Sequence, residues 1–84
     1  MWSVYIVECS DGTYYTGISN NVEKRIQAHN KGKGAKYTKV RLPVVMLVSW
    51  ECGSRSDASK EEYRVKKLTK SKKKELINEK KERF

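Results

Sequence analysis

Tyr5 and Tyr15, Arg25 and His29, and the adjacent carboxylates Glu61 and Glu62 are the side chains of this 84-residue chain that could do chemistry together. Cleaving a phosphodiester needs a divalent ion to hold a phosphate oxygen, a cation for the pentacoordinate charge, and a base near the attacking water. A glutamate, an arginine, and a histidine or tyrosine make up that set. One carboxylate with waters suits a single Mg²⁺, which keeps much of its hydration shell. Tyrosine is an awkward base because a free phenol titrates near pH ~10, so neighbouring cations must favour phenolate. His29 titrates closer to neutrality and is the easier base on solution chemistry.

The elements must bring these residues to one side. Residues 2–8 alternate and are rich in β-branched and aromatic types, so they read as a strand. Ser10-Asp11-Gly12 is a turn, and residues 13–18 return. A two-residue loop would put Tyr5 and Tyr15 on opposite faces. A three-residue loop, with Gly12 left-handed after a type I turn, pairs Cys9 with Thr13 instead. Tyr5, Val7, Thr13, Tyr15 and Gly17 then share one face. Trp2, Val4, Ile6, Tyr14 and Ile18 form a coherent core on the other, which favours this register.

Asn20 followed by Glu23 resembles a capping box for a helix from about Asn21 to Asn30. At about 100° per residue, Val22 and Ile26 mark its inward stripe, and Arg25 and His29 fall on that stripe one turn apart. Inward polar groups in so small a domain must find partners or line a cleft. Singly, His29 fits a satisfied structural histidine and Arg25 a packed stem with its head in water. Together, under a tyrosine face, they favour a site.

Lys31 to Lys36 reads as a mobile basic loop. Val44 to Trp50 is a third strand, apolar on both faces and so expected at the centre of the sheet. Ser56 or Asp57 can cap a second helix to about Leu68, with Ala58, Val65 and Leu68 facing inward. Glu61 and Glu62 both border that stripe; geometry slightly prefers Glu61, and either a metal ion or Arg25 could neutralise it. The alternative is a surface ion pair to Arg64 or Lys66. Residues 71–82 read as a lysine-rich third helix anchored by Leu76, Ile77 and Phe84.

Nineteen Lys and Arg oppose ten Asp and Glu, a net charge of +9, and mean hydropathy is −0.83. In residues 1–54 all seven basic side chains fall between Lys24 and Arg41, a stretch without an acid. That pattern suits a polyanion; Lys33, Lys36, Lys39 and Arg41 are the expected phosphate contacts. For much of Lys70–Arg83 a solvated helix face is preferred. No apolar run can cross a bilayer, the start does not read as a signal peptide, and the basic stretches lack the apolar surface to anchor on a membrane. Cys9 and Cys52 read as free, half-buried thiols in a reducing cytoplasm.

Ser3-Val4-Tyr5, Tyr15-Thr16-Gly17, Arg25-(x3)-His29-Asn30, the Gly32–Thr38 loop and Ala58-Ser59-Lys60-Glu61-Glu62 resemble the GIY-YIG nuclease domain. The similarity covers residues 2–68 in order and is greatest to small stand-alone bacterial members. It implies an α/β (α+β) fold in β-β-α-β-α-α order, with a three-stranded antiparallel sheet flanked by helices, over one domain spanning 1–84. It also implies an endonuclease of structure-specific or repair type, dependent on one Mg²⁺ or Mn²⁺. In that family's pattern Tyr5 and Tyr15 orient or deprotonate the water, Tyr15 being the stronger base candidate. Arg25 stabilises the phosphorane, His29 completes the proton or phosphate network, and Glu62, not Glu61, binds the metal. The first glycine of the family motif is Ser3 here, and Ile18 stands where some members carry a lysine. DNA is the expected partner ahead of RNA, with specificity left to the basic loop or a protein partner. A non-catalytic binding module of the same fold, or a latent nuclease subunit needing a partner, are the competing readings.

Overall fold

The hairpin sets the frame. In the computed structural model, which describes residues 1–81, β1 (Trp2–Glu8) and β2 (Tyr14–Ser19) pair antiparallel with Tyr5 opposite Gly17 and Val7 opposite Tyr15. The connection is the three-residue loop: Cys9 N–H donates to Thr13 O at 2.8 Å, Gly12 N–H donates to Cys9 O at 3.0 Å, and Gly12 has φ +82°. A left-handed residue is needed there, and glycine takes that conformation without a Cβ clash. Asp11 accepts from the Thr13 backbone and hydroxyl and holds the turn. Tyr5 and Tyr15 therefore share a face.

The chain continues through α1 (Val22–Asn30), the single turn α2 (Lys36–Lys39), β3 (Val45–Gly53), α3 (Arg55–Lys66) and α4 (Lys70–Lys81). The sheet order is β2-β1-β3, all antiparallel. This is the expected three-stranded α+β architecture, with one correction: β1, not β3, is central. The run Val44–Val48 looked apolar on both faces, but it begins at a sheet edge, where Val45 is 61% and Met46 44% exposed. β1 is buried on both faces through Val4, Tyr5, Ile6 and Val7 because helices cover each side.

Two apolar clusters show those sides. Tyr5, Val7, Cys9 and Val44 pack with Tyr15, Val22, Ile26 and Leu42. Ile6, Val48, Val65 and Ile77 pack with Tyr14, Leu47, Trp50 and Leu76. The tyrosine face is thus a second core face rather than an open one. Ile77 is the one buried residue of α4 among those described, so α4 hangs largely on a side chain whose truncation to alanine typically costs roughly 2–5 kcal/mol. The expected contribution of Phe84, and the helix end at residue 82, lie outside the described residues.

The helix starts also differ from expectation. Asn21, not Asn20, caps α1, its Oδ1 accepting from Lys24 N–H at 3.1 Å. Ser54, not Ser56 or Asp57, caps α3, with Asp57 closing a reciprocal capping box. Each cap satisfies amide groups that the helix cannot, which is worth about 1 kcal/mol. Cys9 is fully buried and Cys52 half-buried, both as free thiols whose pKa burial raises. No helix among the described residues is long and apolar enough to cross a membrane.

Candidate active site

On α1 the periodicity holds: His29 is buried, Val22, Arg25 and Ile26 are half-buried, and Glu23, Lys24 and Gln27 face solvent. α1 lies on the tyrosine face, so His29 meets both rings. The His29 centroid is 5.9 Å from that of Tyr5 and 5.5 Å from that of Tyr15, each edge-on, and the two tyrosines are 6.5 Å apart. Tyr5 is 1% exposed and His29 0%. Buried polar atoms this deep must be paired, and both are.

The hydrogen bonds have a direction. Thr38 Oγ1 donates to Ala35 O at 3.0 Å and so offers only a lone pair to His29 Nδ1, 2.8 Å away. Nδ1 therefore carries the proton, and Nε2 accepts from the Tyr5 hydroxyl at 2.8 Å. The Arg25 guanidinium lies close enough to the Tyr5 oxygen for its charge to act there. The result is a chain of donors, Tyr5 to His29 to Thr38 to Ala35 O, running into the core, with Arg25 beside its outer end.

Burial raises the Tyr5 pKa above its ordinary value; the nearby Arg25 guanidinium pulls the other way, and Tyr15 and Glu62 reinforce the rise. Burial, aided by the Arg25 charge, lowers the His29 pKa. Tyr5 stays a phenol and His29 a neutral imidazole. With both ring nitrogens engaged and no exposure, His29 has no direct path to a water molecule, so the easier base on solution chemistry could reach one only through Tyr5.

Two glycines make room. A Cβ on Gly17 would lie 2.5 Å from the Tyr5 hydroxyl, and a Cβ on Gly34 would overlap the His29 ring. The stretch expected to be a mobile loop is instead tied to α1, with Gly32 N–H donating to His29 O and Lys33 N–H to Ala28 O, both at 2.9 Å. It leads into α2, which the sequence did not signal. Asn30, next to His29, clasps the far end of the loop: its Oδ1 accepts from Val44 N–H at 2.7 Å and its Nδ2 donates to Val44 O at 3.1 Å.

The two glutamates part ways. The Glu61 carboxylate accepts from Trp50 Nε1 at 3.2 Å and from Arg64, whose hydrogen bond lowers the Glu61 pKa, so it serves the far face of the sheet. Glu62 is half-buried, its charge is felt at Tyr5, and its Oε2 is 3.5 Å from Lys66 Nζ. The same ammonium lies 5.9 Å from the Tyr15 ring centroid. Tyr15, Arg25 and Glu62 are thus the half-exposed members of the set, and Tyr5 and His29 the buried ones.

Lys33, Lys36 and Lys39 are exposed on the stretch that runs past His29 to α2. Arg41 is placed differently. Its Nε is 3.1 Å from Asp11 Oδ2, its Nη1 donates to Tyr37 O at 2.8 Å, and its Cζ sits 4.0 Å from the Tyr37 ring centroid. Tyr37 stacks on Tyr15 at 6.0 Å and 21°. Sequence reasoning missed Tyr37 and the role of Thr38, because a four-residue helix leaves no periodic signal. The ion pairs to Arg64 and Lys66, held there as the alternative for the two glutamates, both form.

Among the described residues no three His, Cys, Asp or Glu side chains converge as a ligand cluster. A single half-buried carboxylate fits an ion that keeps most of its waters, Mg²⁺ or Mn²⁺, and does not fit a structural zinc.

The chain is similar to a UPF0213 protein of Desulfotalea psychrophila, 49% identical over 77 residues that span 90% of this chain and 70% of that one. It is also similar to a UPF0213 protein of Halobacterium salinarum, 47% identical over 92% of this chain and all of the other. The solution NMR structure of a UPF0213 protein from Bacillus halodurans aligns with a TM-score of 0.61 at 44% identity, over 95% of this chain and 86% of that one. The GIY-YIG catalytic domain matches residues 1–75, a span that contains both tyrosines, the α1 pair and Glu62. The shared fold, the length of that match and the identity to the small UPF0213 proteins place the chain in the GIY-YIG family.

Proposed function

We propose that this chain is a metal-dependent nuclease that hydrolyses a phosphodiester bond in DNA, with Tyr15, Arg25 and Glu62 facing the substrate. The observation that carries the reading is the directed chain of hydrogen bonds from Tyr5 through His29 to Thr38, with the Arg25 guanidinium beside its outer end. A buried relay of this kind fixes the phenol against which the guanidinium sits before substrate arrives, and preorganised charge is what stabilising a transition state requires. Tyr5 and His29 are then positioning residues for Arg25. Glu62 holds the divalent ion, whose charge would neutralise the scissile phosphate when bound. Tyr15 orients the attacking water beside the phosphorus. The water oxygen bonds to phosphorus as its proton passes to the Tyr15 oxygen in its phenolate form, and the bond to the 3′ oxygen breaks, giving a 5′-phosphate and a 3′-hydroxyl once the leaving oxygen takes a proton from solvent. Arg25 faces the charge that builds on the phosphoryl oxygens. Lys33, Lys36 and Lys39 carry the flanking strand.

The Glu62–Lys66 ion pair favours a second reading, a DNA- or RNA-binding module without turnover, because it neutralises the carboxylate without any ion. Nicking of supercoiled plasmid and of branched duplex in Mg²⁺ or Mn²⁺ separates the two. Glu62→Ala and Arg25→Ala are each expected to slow cleavage by about 10²–10³-fold, the usual effect of removing one charge-stabilising group. Cleavage unchanged in both variants would sink the assignment. Metal-independent DNA binding with no cleavage by wild type would establish the module.

A further inference from the structure

Arg41 carries a positive charge in the acid-free stretch, yet its guanidinium is spent on the protein. It pairs with Asp11 at 3.1 Å, donates to Tyr37 O at 2.8 Å, and covers the Tyr37 ring at 4.0 Å. The backbone repeats the link, since Ser10 N–H donates to Arg41 O at 2.9 Å and Arg41 N–H to Thr38 O at 2.9 Å. Asp11 is itself fixed by Thr13 on the hairpin, and those hydrogen bonds hold its carboxyl below the usual range. From Arg41 the contacts run to Tyr37, and from Tyr37 to Tyr15, whose ring it stacks at 6.0 Å and 21°.

We infer that Asp11, Arg41 and Tyr37 form a clamp that closes the α2 turn onto the hairpin and seats the Tyr15 ring, making Arg41 and Tyr37 positioning residues for Tyr15 rather than contacts to nucleic acid. An exposed ion pair alone is worth little. The clamp draws its strength from the planar guanidinium, which can pair with a carboxylate, bond a carbonyl and stack on a ring at once. Lysine lacks the plane that lies flat on the ring. The ammonium of Lys66 also lies 5.9 Å from the Tyr15 centroid, but as a flexible side chain it orients a ring less firmly than a stacked one. A side chain that must orient a water within a few tenths of an ångström needs such support.

The inference rests on the nuclease reading for its consequence, but its test does not. Arg41→Gln, Tyr37→Leu and Tyr37→Phe are compared with wild type as full chains. Tyr15 ring-proton shifts are read by NMR, the salt dependence of duplex binding is read in EDTA, and kcat and KM are read with Mn²⁺. Arg41→Gln and Tyr37→Leu are expected to move the Tyr15 ring signals and to lower kcat roughly tenfold with KM within about twofold, as a small misplacement does. Arg41→Gln should leave the salt slope unchanged, whereas loss of a phosphate contact would reduce it by about 0.9. Tyr37→Phe keeps the ring and should match wild type in every readout. Should Arg41→Gln fail to fold, Asp11→Asn loosens the same clamp with Arg41 intact and should shift the Tyr15 signals in the same sense. A slope lowered by about 0.9 with Tyr15 signals unmoved overturns the clamp. A wild type without turnover defeats the nuclease reading alone, because the ring shifts and the slope still decide the clamp.

Discussion

His29 has the chemistry of a base and the surroundings of a strut. Its Nδ1 is committed to Thr38 and its Nε2 to Tyr5, and burial disfavours its charged form. That lowered pKa has a thermodynamic sign. Above pH ~6.5 folded and unfolded states both carry neutral histidine, and His29 adds no slope. Below that, the unfolded chain takes up a proton that the folded site refuses, so stability falls with acidification until the folded site titrates. Denaturant unfolding between pH 7.5 and 5 should show wild type losing stability at up to about 1.4 kcal/mol per pH unit, and His29→Gln losing much less. An NMR titration with His29 protonating at or above the ordinary histidine value would contradict the relay, since Nε2 could then no longer accept from Tyr5. Tyr5 shows the reverse sign: its raised pKa leaves stability intact below pH ~10 and costs stability above it. The inward placement of these residues was legible from residue spacing. Their division into buried relay and exposed reactive group was not, because a helical wheel gives direction without depth.

At the scale of elements, the loop between α1 and β3 is what turns two packed faces into a site. Gly34 passes against the His29 ring where any Cβ would overlap it, and Thr38, four residues on, supplies the lone pair that fixes the imidazole. Gly34→Ala should therefore displace the α2 turn and break the Thr38–His29 bond. Overpacking of that kind typically costs ~1–3 kcal/mol; Gly32→Ala is the comparison, open around its Cβ but strained by φ +76°. Loss of Thr38 and His29 signals in Gly34→Ala, with the Gly32→Ala site intact, is the expected result; an undisturbed His29 environment in Gly34→Ala would show that the loop does not set it. The hairpin register was readable because only one loop length kept the apolar alternation coherent. The order of strands was not, since an apolar run reads the same whether a neighbour or a loop covers it, and Val45 and Met46 prove to lie at an edge. α2 escaped because four residues carry no period. The helical wheel leans to Glu61 over Glu62 although both border one stripe, and it is Trp50 on β3, with Arg64, that holds Glu61 on the other face.

Over the whole molecule, the net charge of +9 divides into two populations with different work. On α4 three basic residues serve the fold: Lys70 Nζ donates to Gly12 O at 2.8 Å and lies 5.0 Å from the Tyr14 ring, Lys80 lies 5.0 Å from the Trp50 ring, and Lys72 is 3.6 Å from Glu75. The ion pairs of the described residues include none of Lys33, Lys36 or Lys39, which stand exposed on the loop that closes over His29. Counterion release makes this division measurable, because each phosphate neutralised on duplex DNA adds about 0.9 to the slope of log K against log salt. Replacing Lys33, Lys36 and Lys39 together by glutamine should flatten that slope by up to about 2.7, three such contacts, and weaken binding most at low salt. Lys72→Gln with Lys74→Gln removes two charges from α4 and should leave the slope where it was. An equal flattening from the α4 pair would mean that DNA crosses the face opposite the tyrosines, and the substrate path drawn past Tyr15, Arg25 and Glu62 would have to be abandoned. The stretch that carries Lys33, Lys36 and Lys39 is also the one bonded to His29 through Thr38, so a track confirmed there would lead the strand to the half-exposed edge of the proposed site.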